Sequence, residues 1–427
     1  MIQLDRRRFL HSLAGLSLPA WFPRMTFASH APRRRRETDV LVCVFLRGGV
    51  DGVSAVPPFA EDDLYRARPT LAIDPPGAAG SGSRDLDGHF GLHPSLAPLQ
   101  EIFQDGALGV VHAVGSPDET RSHFDAMDFM ERGTPGEKIL KTGWIARHLA
   151  TSVDAAGSPF RAVSLGPTVP ASLRGPVPVT ALQSIADFHL EGDAAQVESF
   201  QQVMASLYRG TELLGPSADR TFSAIEQLAL ANPLQYQPRN GAQYPNEDFG
   251  FGLRQVAQMI RADVGMEIAC LDIGGWDTHQ DQGAEAGRLA ELLTLLGSGL
   301  HAFYTDLQQE RADVTVVVMT EFGRRIAENA SAGTDHGRAT IMMAIGASVE
   351  GGRIHGDWPT LAAGALVGPG DLAVTTDFRT VLAELLERRM GNDRVDEVFP
   401  RFTAPAPLGL FREPQAGVDR RPRVSRG

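Results

Sequence analysis

The 427-residue sequence has little of several things, and each shortage excludes a class of protein. It has two cysteines, Cys43 and Cys270, which are too few for a disulfide framework. Each lies in an apolar run, so both are predicted to be core residues of strands, and a disulfide between them stays open. Only 40 lysines and arginines stand against 52 acidic residues, which argues against general nucleic-acid binding, because that needs a basic face.

Long apolar runs and one familiar catalytic motif are also missing. Beyond residues 1–28, no segment reaches the roughly eighteen consecutive apolar residues of a membrane span, so no transmembrane anchor is predicted. No serine lies in a G-x-S-x-G turn, which ranks a metal-free serine hydrolase last among the functions considered. Apolar residues make up 43% of the chain, which is normal for a globular protein with a sizeable core.

The amino terminus resembles a twin-arginine export signal. Residues 5–10 read D-R-R-R-F-L, a short apolar stretch covers 12–22, and small residues at 26–28 offer a cleavage site. We therefore expect residues 1–28 to be removed and 29–38 to be a linker, the alternative being a basic disordered tail. Because this route carries folded proteins, the segment predicts a periplasmic or secreted protein and mildly favours a metal site.

Apolar strands alternate with amphipathic helices along most of the chain, which predicts an α/β domain at 39–411. The near-continuous apolar strands indicate a mainly parallel sheet with helices on both faces. Strands are predicted at 39–46, 108–114, 161–165, 265–273, 314–319 and 340–346, and helices at 94–104, 122–132, 143–150, 283–308 and 377–389. A helical insertion is predicted at about 183–262, with helices at 195–207, 219–230 and 249–262. Residues 412–427 are predicted to be a disordered tail.

Four segments are read as sharing one pattern, in which an apolar strand is followed by glycine and then by aspartate or histidine. They are 49–52, 276–279, 320–324 and 335–338. Because ligands bind at the carboxyl ends of the strands in open α/β sheets, these segments are expected to converge. Carboxylates and imidazoles are typical ligands of divalent metals, so the candidate metal ligands are Asp51, Asp277, His279, Asp335 and His336. Glu321 is a candidate ligand or general base. Each residue alone is equally well explained as a turn or helix-cap residue.

A fifth segment, 116–125, supplies a candidate nucleophile at a predicted helix start. Ser122 is a hydroxyl that a metal could activate, and its alternative role is to cap the helix. Arg121 offers a guanidinium fork that fits phosphate or sulfate, and so does Arg338 in the last of the four segments. His123 is a further candidate metal ligand.

Taken in order along the chain, six motifs resemble the bacterial family named domain of unknown function 1501. They are F-L-R-G-G-V-D-G (45–52), G-L-H-P-S-L (91–96), R-S-H-F-D-A (121–126), G-G-W-D-T-H (274–279), T-E-F-G-R (320–324) and T-D-H-G (334–337). That family looks like a distant branch of the alkaline phosphatase and sulfatase superfamily. The resemblance implies an alkaline-phosphatase-like α/β fold with metal ligands at the strand ends.

The resemblance also implies roles for individual residues. Asp51 matches an aspartate that binds metal in the superfamily, Ser122 the nucleophile, and Asp277 with His279 a further ligand pair. The chain departs from the pattern after the strand at 314–319, where an expected Asp-His pair reads Glu321-Phe322.

The sequence thus predicts an exported hydrolase of small phosphate or sulfate esters with one or two divalent metal ions, such as Zn, Mn or Ca. The alternative is a non-catalytic binding protein on a degenerate hydrolase fold, holding a metal, a glycan or a protein partner that the sequence does not identify.

Overall fold

Strands form where β-branched and apolar residues follow one another without a break, as in Val314–Thr320, where all seven residues are buried. A run of this kind cannot face water on either side, so it fits only the interior of a covered sheet. The structure is a computed structural model, and it describes residues 39–77, 82–152, 157–166, 168–184 and 236–413.

The described residues contain the following regular elements. The strands are β1 (Val40–Arg47), β2 (Arg84–Asp85), β3 (Gly91–Leu92), β4 (Leu108–Gly115), β5 (Ala162–Leu165), β6 (Thr180–Leu182), β7 (Ile268–Gly274), β8 (Val314–Thr320), β9 (Thr340–Ile345), β10 (Ile354–His355) and β11 (Thr376–Asp377). The α-helices are α1 (Gly52–Ala55), α2 (Asp62–Ala67), α3 (Pro98–Gln104), α4 (His123–Arg132), α5 (Trp144–Thr151), α6 (Asp248–Ala262), α7 (Arg288–Asp306), α8 (Phe378–Arg388) and α9 (Val395–Val398). Short 3-10 helices cover Pro94–Leu96 and Ala171–Leu173.

A large sheet in the described part of the chain has the strand order β10-β4-β9-β8-β1-β7-β5-β6, and β11 pairs with β4. Strand β1 lies at its centre and pairs in parallel with β7 and β8. Strand β9 pairs antiparallel with both β4 and β8, and it is the reversed strand of a sheet that is otherwise parallel. The mainly parallel sheet predicted from the sequence is therefore confirmed.

Helices cover both faces of this sheet. Alternate residues of β1, from Val40 to Leu46, pack with side chains of α3, α6 and α7 in one core. The intervening residues, including Cys43, pack with side chains of α5, α8 and α9 in a second core. Cys43 lies directly opposite Cys270 on β7, and both are buried free thiols. The predicted core positions of the two cysteines are thus confirmed.

Glycines with positive φ shift two predicted boundaries. The helix predicted at 283–308 begins only at Arg288, because Gly283 (φ 77°) and Gly287 (φ 115°) adopt backbone conformations that a helix excludes. The strand predicted at 265–273 begins at Ile268, after Gly265 (φ 76°).

Several predicted segments lie outside the described residues. These are the export signal (1–28), the linker (29–38), the helices at 195–207 and 219–230, and nearly all of the tail. The third helix of the predicted insertion is α6, which packs against α7 on the sheet. Among the described helices, none is long and apolar enough to cross a membrane.

Candidate metal centre

Five chain segments meet at one edge of the large sheet. They are the turn after β1, the segments after β7 and β8, the start of α4 after β4, and the segment before β9. Because β9 runs against its neighbours, its amino end lies at the edge where the other strands have their carboxyl ends. The segment 335–338 therefore reaches the site by preceding a strand, whereas the sequence pattern suggested that it follows one.

Donor atoms of four residues lie at this edge: those of His123, Asp277 and His336 form one group, and His279 Nε2 adjoins Asp277 and His336. Asp277 Oδ1 is 3.0 Å from His336 Nε2, 3.1 Å from His279 Nε2 and 3.4 Å from His123 Nε2. The Nε2 atoms of His279 and His336 are 2.9 Å apart. The ligand atoms of His123, Asp277 and His336 all lie within 4.8 Å of one another. The cluster is open to solvent, since the Asp277 side chain is 46% exposed.

The second ring nitrogen of each of these histidines faces an oxygen. For His336, His123 and His279 in turn, Nδ1 contacts the Arg121 carbonyl at 2.9 Å, Glu321 Oε1 at 2.7 Å and Asp335 Oδ1 at 3.1 Å. A carbonyl or carboxylate oxygen only accepts, so each neutral imidazole carries its proton on Nδ1, as assigned from these partners. The Nε2 lone pairs then point into the cluster. His123 Nε2 is buried and has no hydrogen-bond partner in the described part of the chain.

This donor arrangement fits a divalent metal ion. The three separations from Asp277 Oδ1 and the one between His279 and His336 are 2.9–3.4 Å, so a proton or a cation must lie between these atoms to offset the repulsion of their lone pairs. Tetrahedral zinc with ligand distances of about 2.0–2.1 Å has donors about 3.3 Å apart, which is close to these four separations. Metal-bound imidazoles characteristically donate their other N–H to a carboxylate or carbonyl, as all three do in this cluster.

The electrostatics of the cluster distinguish its members. Partial burial opposes ionisation of Asp277, but contacts with His336 and Arg324 outweigh it and lower its pKa from 3.8 to about 2. The hydrogen bond with Glu321 raises the pKa of His123. Burial lowers the pKa of His336 below its usual value of 6.5. A hydrogen bond from Asn329 lowers the pKa of Asp335.

The Arg324 side chain forms hydrogen bonds with three of the converging segments. It is fully buried and donates 2.7 Å to Asp277 Oδ1, which turns that carboxylate toward the histidines. The remaining donors go to backbone carbonyls of Gly48, Gly49, Trp276 and Thr334. The guanidinium therefore fixes the turn after β1 and both loops that carry ligands.

Glu321 and Phe322 support the histidines rather than filling the cluster. The buried Glu321 carboxylate accepts from the Gly48 N–H at 2.8 Å and from the Thr320 hydroxyl at 3.0 Å while it holds His123. The Phe322 ring lies 4.9 Å from the His123 ring and 4.8 Å from the His336 ring. Phe322 thus forms an apolar wall beside the two imidazoles.

The sequence profile of "Protein of unknown function (DUF1501)" matches residues 38–399. The chain belongs to this family. No protein with a curated description matches the DUF1501 chain.

Solved structures resemble it only loosely. An alkaline phosphatase superfamily protein from Vibrio parahaemolyticus has 8% identity and a TM-score of 0.32, over 75% of this chain and 63% of that one. The C-terminal periplasmic domain of EcEptC from Escherichia coli has 10% identity and a TM-score of 0.36, over 87% and 89%. The lipoteichoic acid synthase LtaP from Listeria monocytogenes has 9% identity and a TM-score of 0.33, over 80% and 75%. Overlaps this loose say nothing about activity.

Other residues singled out in the sequence lie around the cluster of this DUF1501 protein. Asp51 is fully buried, N-caps α1 and forms an ion pair with Arg68 at 2.6 Å, apart from the donor atoms. Ser122 is exposed, and its hydroxyl accepts from the Asp125 N–H at 3.5 Å as the N-cap of α4. Asp335 contacts His279 from outside the cluster.

The two arginines proposed to hold an anion have different partners. Arg121 forms an ion pair at 2.5 Å with Asp371, whose side chain is fully buried. Arg338 donates 3.0 Å to Glu119, whose side chain is 80% exposed. A solvated partner is displaced more easily than a buried one, so Arg338 has the more easily displaced partner, while Arg121 has the more exposed side chain (32% against 19%).

Sequence reasoning missed the buried residues that hold the site together. Arg68 and Gln282 carry no recognisable motif, and only their burial and contacts single them out. Arg324 is part of T-E-F-G-R, but the motif gives no sign that its guanidinium bonds to Asp277. The only signal in the sequence for the role of Arg324 was its place as a charged residue next to a glycine, shortly after a buried strand.

A separate cavity of about 920 Å³ lies between α6 and the ends of β5 and β7. Its wall includes Arg47, which bridges Asp272 at 2.7 Å and Glu131 at 2.9 Å. None of the four donor residues is among its described lining residues. The cavity and the donor cluster are therefore separate features of the molecule.

Proposed function

We propose that this protein is a metal-dependent hydrolase of phosphate or sulfate esters whose metal is held by His123, Asp277, His279 and His336. The observation that carries the proposal is the convergence of three Nε2 lone pairs on Asp277 Oδ1 at 3.0–3.4 Å. The nitrogen-rich donor set suits zinc, and manganese less well, whereas calcium prefers oxygen ligands alone. Asp51 and Asp335 were also proposed as ligands, and they would serve as outer supports.

A bound divalent metal would polarise the ester and lower the pKa of a hydroxyl that coordinates it. Ser122 is the proposed nucleophile, because it directly precedes the ligand His123 and is exposed at the start of α4. The free N–H groups of the first turn of α4 favour an anionic group there. Arg338, and Arg121 beside it, would hold the remaining anionic oxygens of the ester. Glu321 would fix the tautomer of His123 through Nδ1.

The test is a panel of chromogenic phosphate monoesters, phosphate diesters and sulfate esters, assayed with zinc, manganese, calcium or no added metal. Turnover that needs metal and disappears in Ser122→Ala, while elemental analysis still finds the metal, supports the proposal. The matched control is Ser331→Ala, an exposed serine in a neighbouring loop. Full activity in Ser122→Ala removes that serine from the mechanism.

A non-catalytic binding protein is the second candidate, and Phe322 favours it. An aromatic ring packs against two of the imidazoles where the resemblance leads one to expect a histidine ligand. A centre of this kind would bind a metal together with an anionic ester or a glycan without hydrolysing it. Bound metal with no turnover on any ester of the panel, but calorimetric binding of phosphate or a glycan, would favour this candidate.

Export through the twin-arginine route is part of the proposal and rests on residues 5–10 and 26–28 alone. Cell fractionation followed by amino-terminal sequencing of the mature protein tests it. A mature chain that begins at residue 29 in the periplasm or medium supports export, and an intact chain in the cytoplasm contradicts it.

A further inference from the structure

A fully buried group of polar side chains lies beneath the donor cluster. Asp51, Arg68 and Gln282 each have 0% exposed surface. Asp51 Oδ2 accepts from Arg68 Nη1 at 2.6 Å and from Gln282 Nε2 at 2.7 Å. Three polar side chains that are shielded from bulk solvent must be paired with one another, with neighbouring side chains or with the backbone, so their arrangement is strongly constrained.

Gln282 connects this group to both loops that carry metal ligands. Its Oε1 atom accepts from the Thr278 hydroxyl at 2.8 Å and from the Thr334 hydroxyl at 2.7 Å. Thr278 lies between Asp277 and His279, and Thr334 directly precedes Asp335 and His336. A backbone hydrogen bond also joins the two loops, since the Thr334 N–H donates to the Thr278 carbonyl at 3.2 Å. One amide side chain therefore sets the distance between the two halves of the donor cluster.

The carboxylate of Asp51 already accepts four hydrogen bonds from within the fold. Besides Arg68 and Gln282, it accepts from the Ser54 hydroxyl at 2.9 Å and from the Ser54 N–H at 3.3 Å. Arg68 also donates to the carbonyls of Arg325 and Ile326 at 2.9 and 2.7 Å. The Arg68 guanidinium already supplies Asp51 with the positive charge that a metal would bring.

We propose that Asp51, Arg68, Gln282, Thr278 and Thr334 form a clamp that positions the two ligand loops of a mononuclear metal centre. The clamp rests on the metal centre proposed above and extends it. Asp51 belongs to the clamp and acts on the metal only through Gln282 and the two threonines. The resemblance to the phosphatase superfamily implied a metal ligand at this position.

Substitutions of the two threonine hydroxyls test the clamp with little change in volume. In Thr278→Val and in Thr334→Val, the dissociation constant for Zn²⁺ or Co²⁺, measured by chelator competition, is expected to rise about 10- to 100-fold. The visible spectrum of bound Co²⁺ is expected to change, because the ligand geometry relaxes. Thr278→Ser keeps the hydroxyl and should restore wild-type values. Thr294→Val is the matched control, since that hydroxyl bonds within α7, to the Ala290 carbonyl.

Because both threonines act through one amide, the double variant should lose less affinity than the product of the two single losses. Asp51→Asn should leave about one metal ion per chain, as in the wild type. The clamp is overturned if both valine variants keep the wild-type affinity and Co²⁺ spectrum. It is also overturned if the wild type binds two ions per chain and Asp51→Asn binds one.

If the wild type binds no metal, hydrogen exchange of the backbone amides decides the matter. Faster exchange in both 277–279 and 334–336 in either valine variant, but not in Thr294→Val, supports the clamp, and unchanged exchange contradicts it. None of these measurements depends on ester turnover. A failure of the proposed hydrolase activity is therefore distinguishable from a failure of the clamp.

Discussion

His112 and the three histidines of the donor cluster are held in opposite ways. His112 is buried in β4, where Nε2 donates to the Val56 carbonyl at 3.1 Å and Nδ1 accepts from the Ala113 N–H at 3.0 Å. Its ring packs against Phe90 and Trp358 at 5.2 and 4.5 Å. Both nitrogens of this neutral ring are satisfied, and nothing more can bind to it.

In the cluster, His123 Nε2 has no hydrogen-bond partner among the described residues, and the Nε2 atoms of His279 and His336 contact each other. The Nδ1 atoms of all three rings face oxygens, while their Nε2 atoms face one another and Asp277. The same contrast separates the buried clamp, in which the Asp51 carboxylate accepts four hydrogen bonds, from the open cluster above it. The Asp51 carboxylate is paired within the fold, whereas the cluster retains an unpaired nitrogen at His123.

The largest effect is expected from removing two of the candidate metal ligands. Replacing Asp277 and His336 together by alanine should abolish metal binding, measured by elemental mass spectrometry of protein purified without chelator. The free energy of unfolding in the presence of chelator should fall less than in a variant that removes Arg324, because the Asp277 side chain is 46% exposed and the Arg324 guanidinium keeps its carbonyl acceptors. The matched control replaces Glu101 and His301, an exposed acid and histidine 3.7 Å apart. A chelated double variant far less stable than the wild type would mean that the cluster is structural.

Removal of the buried Arg324 guanidinium, in contrast, should mainly lower the stability of the protein. Arg324→Met keeps the length of the side chain but leaves Asp277 and four carbonyls without their donor. We expect the free energy of unfolding, from urea titration with chelator present, to fall by about 3–5 kcal/mol. Arg66→Met, at a guanidinium that is 65% exposed, should change it little. A loss below about 1 kcal/mol for Arg324→Met would mean that Arg324 does not hold the loops at this edge of the sheet together.

The lowered pKa of His112, which lies outside the cluster, predicts a loss of stability in acid. Burial lowers its pKa from 6.5 to about 4. Between these values the unfolded chain binds a proton that the folded chain does not, so the free energy of unfolding falls as the pH is lowered from 6.5 to 4. The contribution is at most about 3 kcal/mol. His112→Gln should remove this part of the pH dependence, whereas His301→Gln should keep it. An unchanged pH slope in His112→Gln would contradict the assignment.

The smallest effect is expected from Glu321, the buried carboxylate that joins His123 of the cluster to the turn after β1. Glu321→Gln replaces the carboxylate that fixes His123 by an amide of the same shape. Affinity for Zn²⁺ should fall about 10- to 100-fold, because His123 loses its charged partner. Glu61→Gln, which alters a carboxylate bound to the Leu361 N–H, is the control. Equal affinities in the wild type and Glu321→Gln would place His123 outside the centre.

Much of the fold follows from local sequence pattern. Strands β1, β4, β7 and β8 are near-continuous apolar runs, and their positions were predictable within a few residues. The direction of β9 was not, because Thr340–Ile345 is equally apolar whichever way it runs. Register and direction depend on neighbours that are distant in the chain.

The donors of the site were predictable and their supports were not. His123, Asp277, His279 and His336 carry side chains suited to metals and follow glycines or precede a helix, which makes them conspicuous. Gln282 and Arg68 are ordinary surface residues by type. Their role arises from burial and from partners up to 258 residues away, which no local pattern records.

The clamp also dictates when the centre can form. Asp51 and Gln282 are 231 residues apart in sequence, and Thr334 lies 52 residues beyond Gln282. Closing contacts over such separations is slow and needs most of the chain to be in place. A chain that ends before residue 334 lacks His336 as well as Thr334 of the clamp. Metal capture by the proposed centre would therefore be a late event in folding, in which the ion binds a nearly complete domain and does not nucleate it.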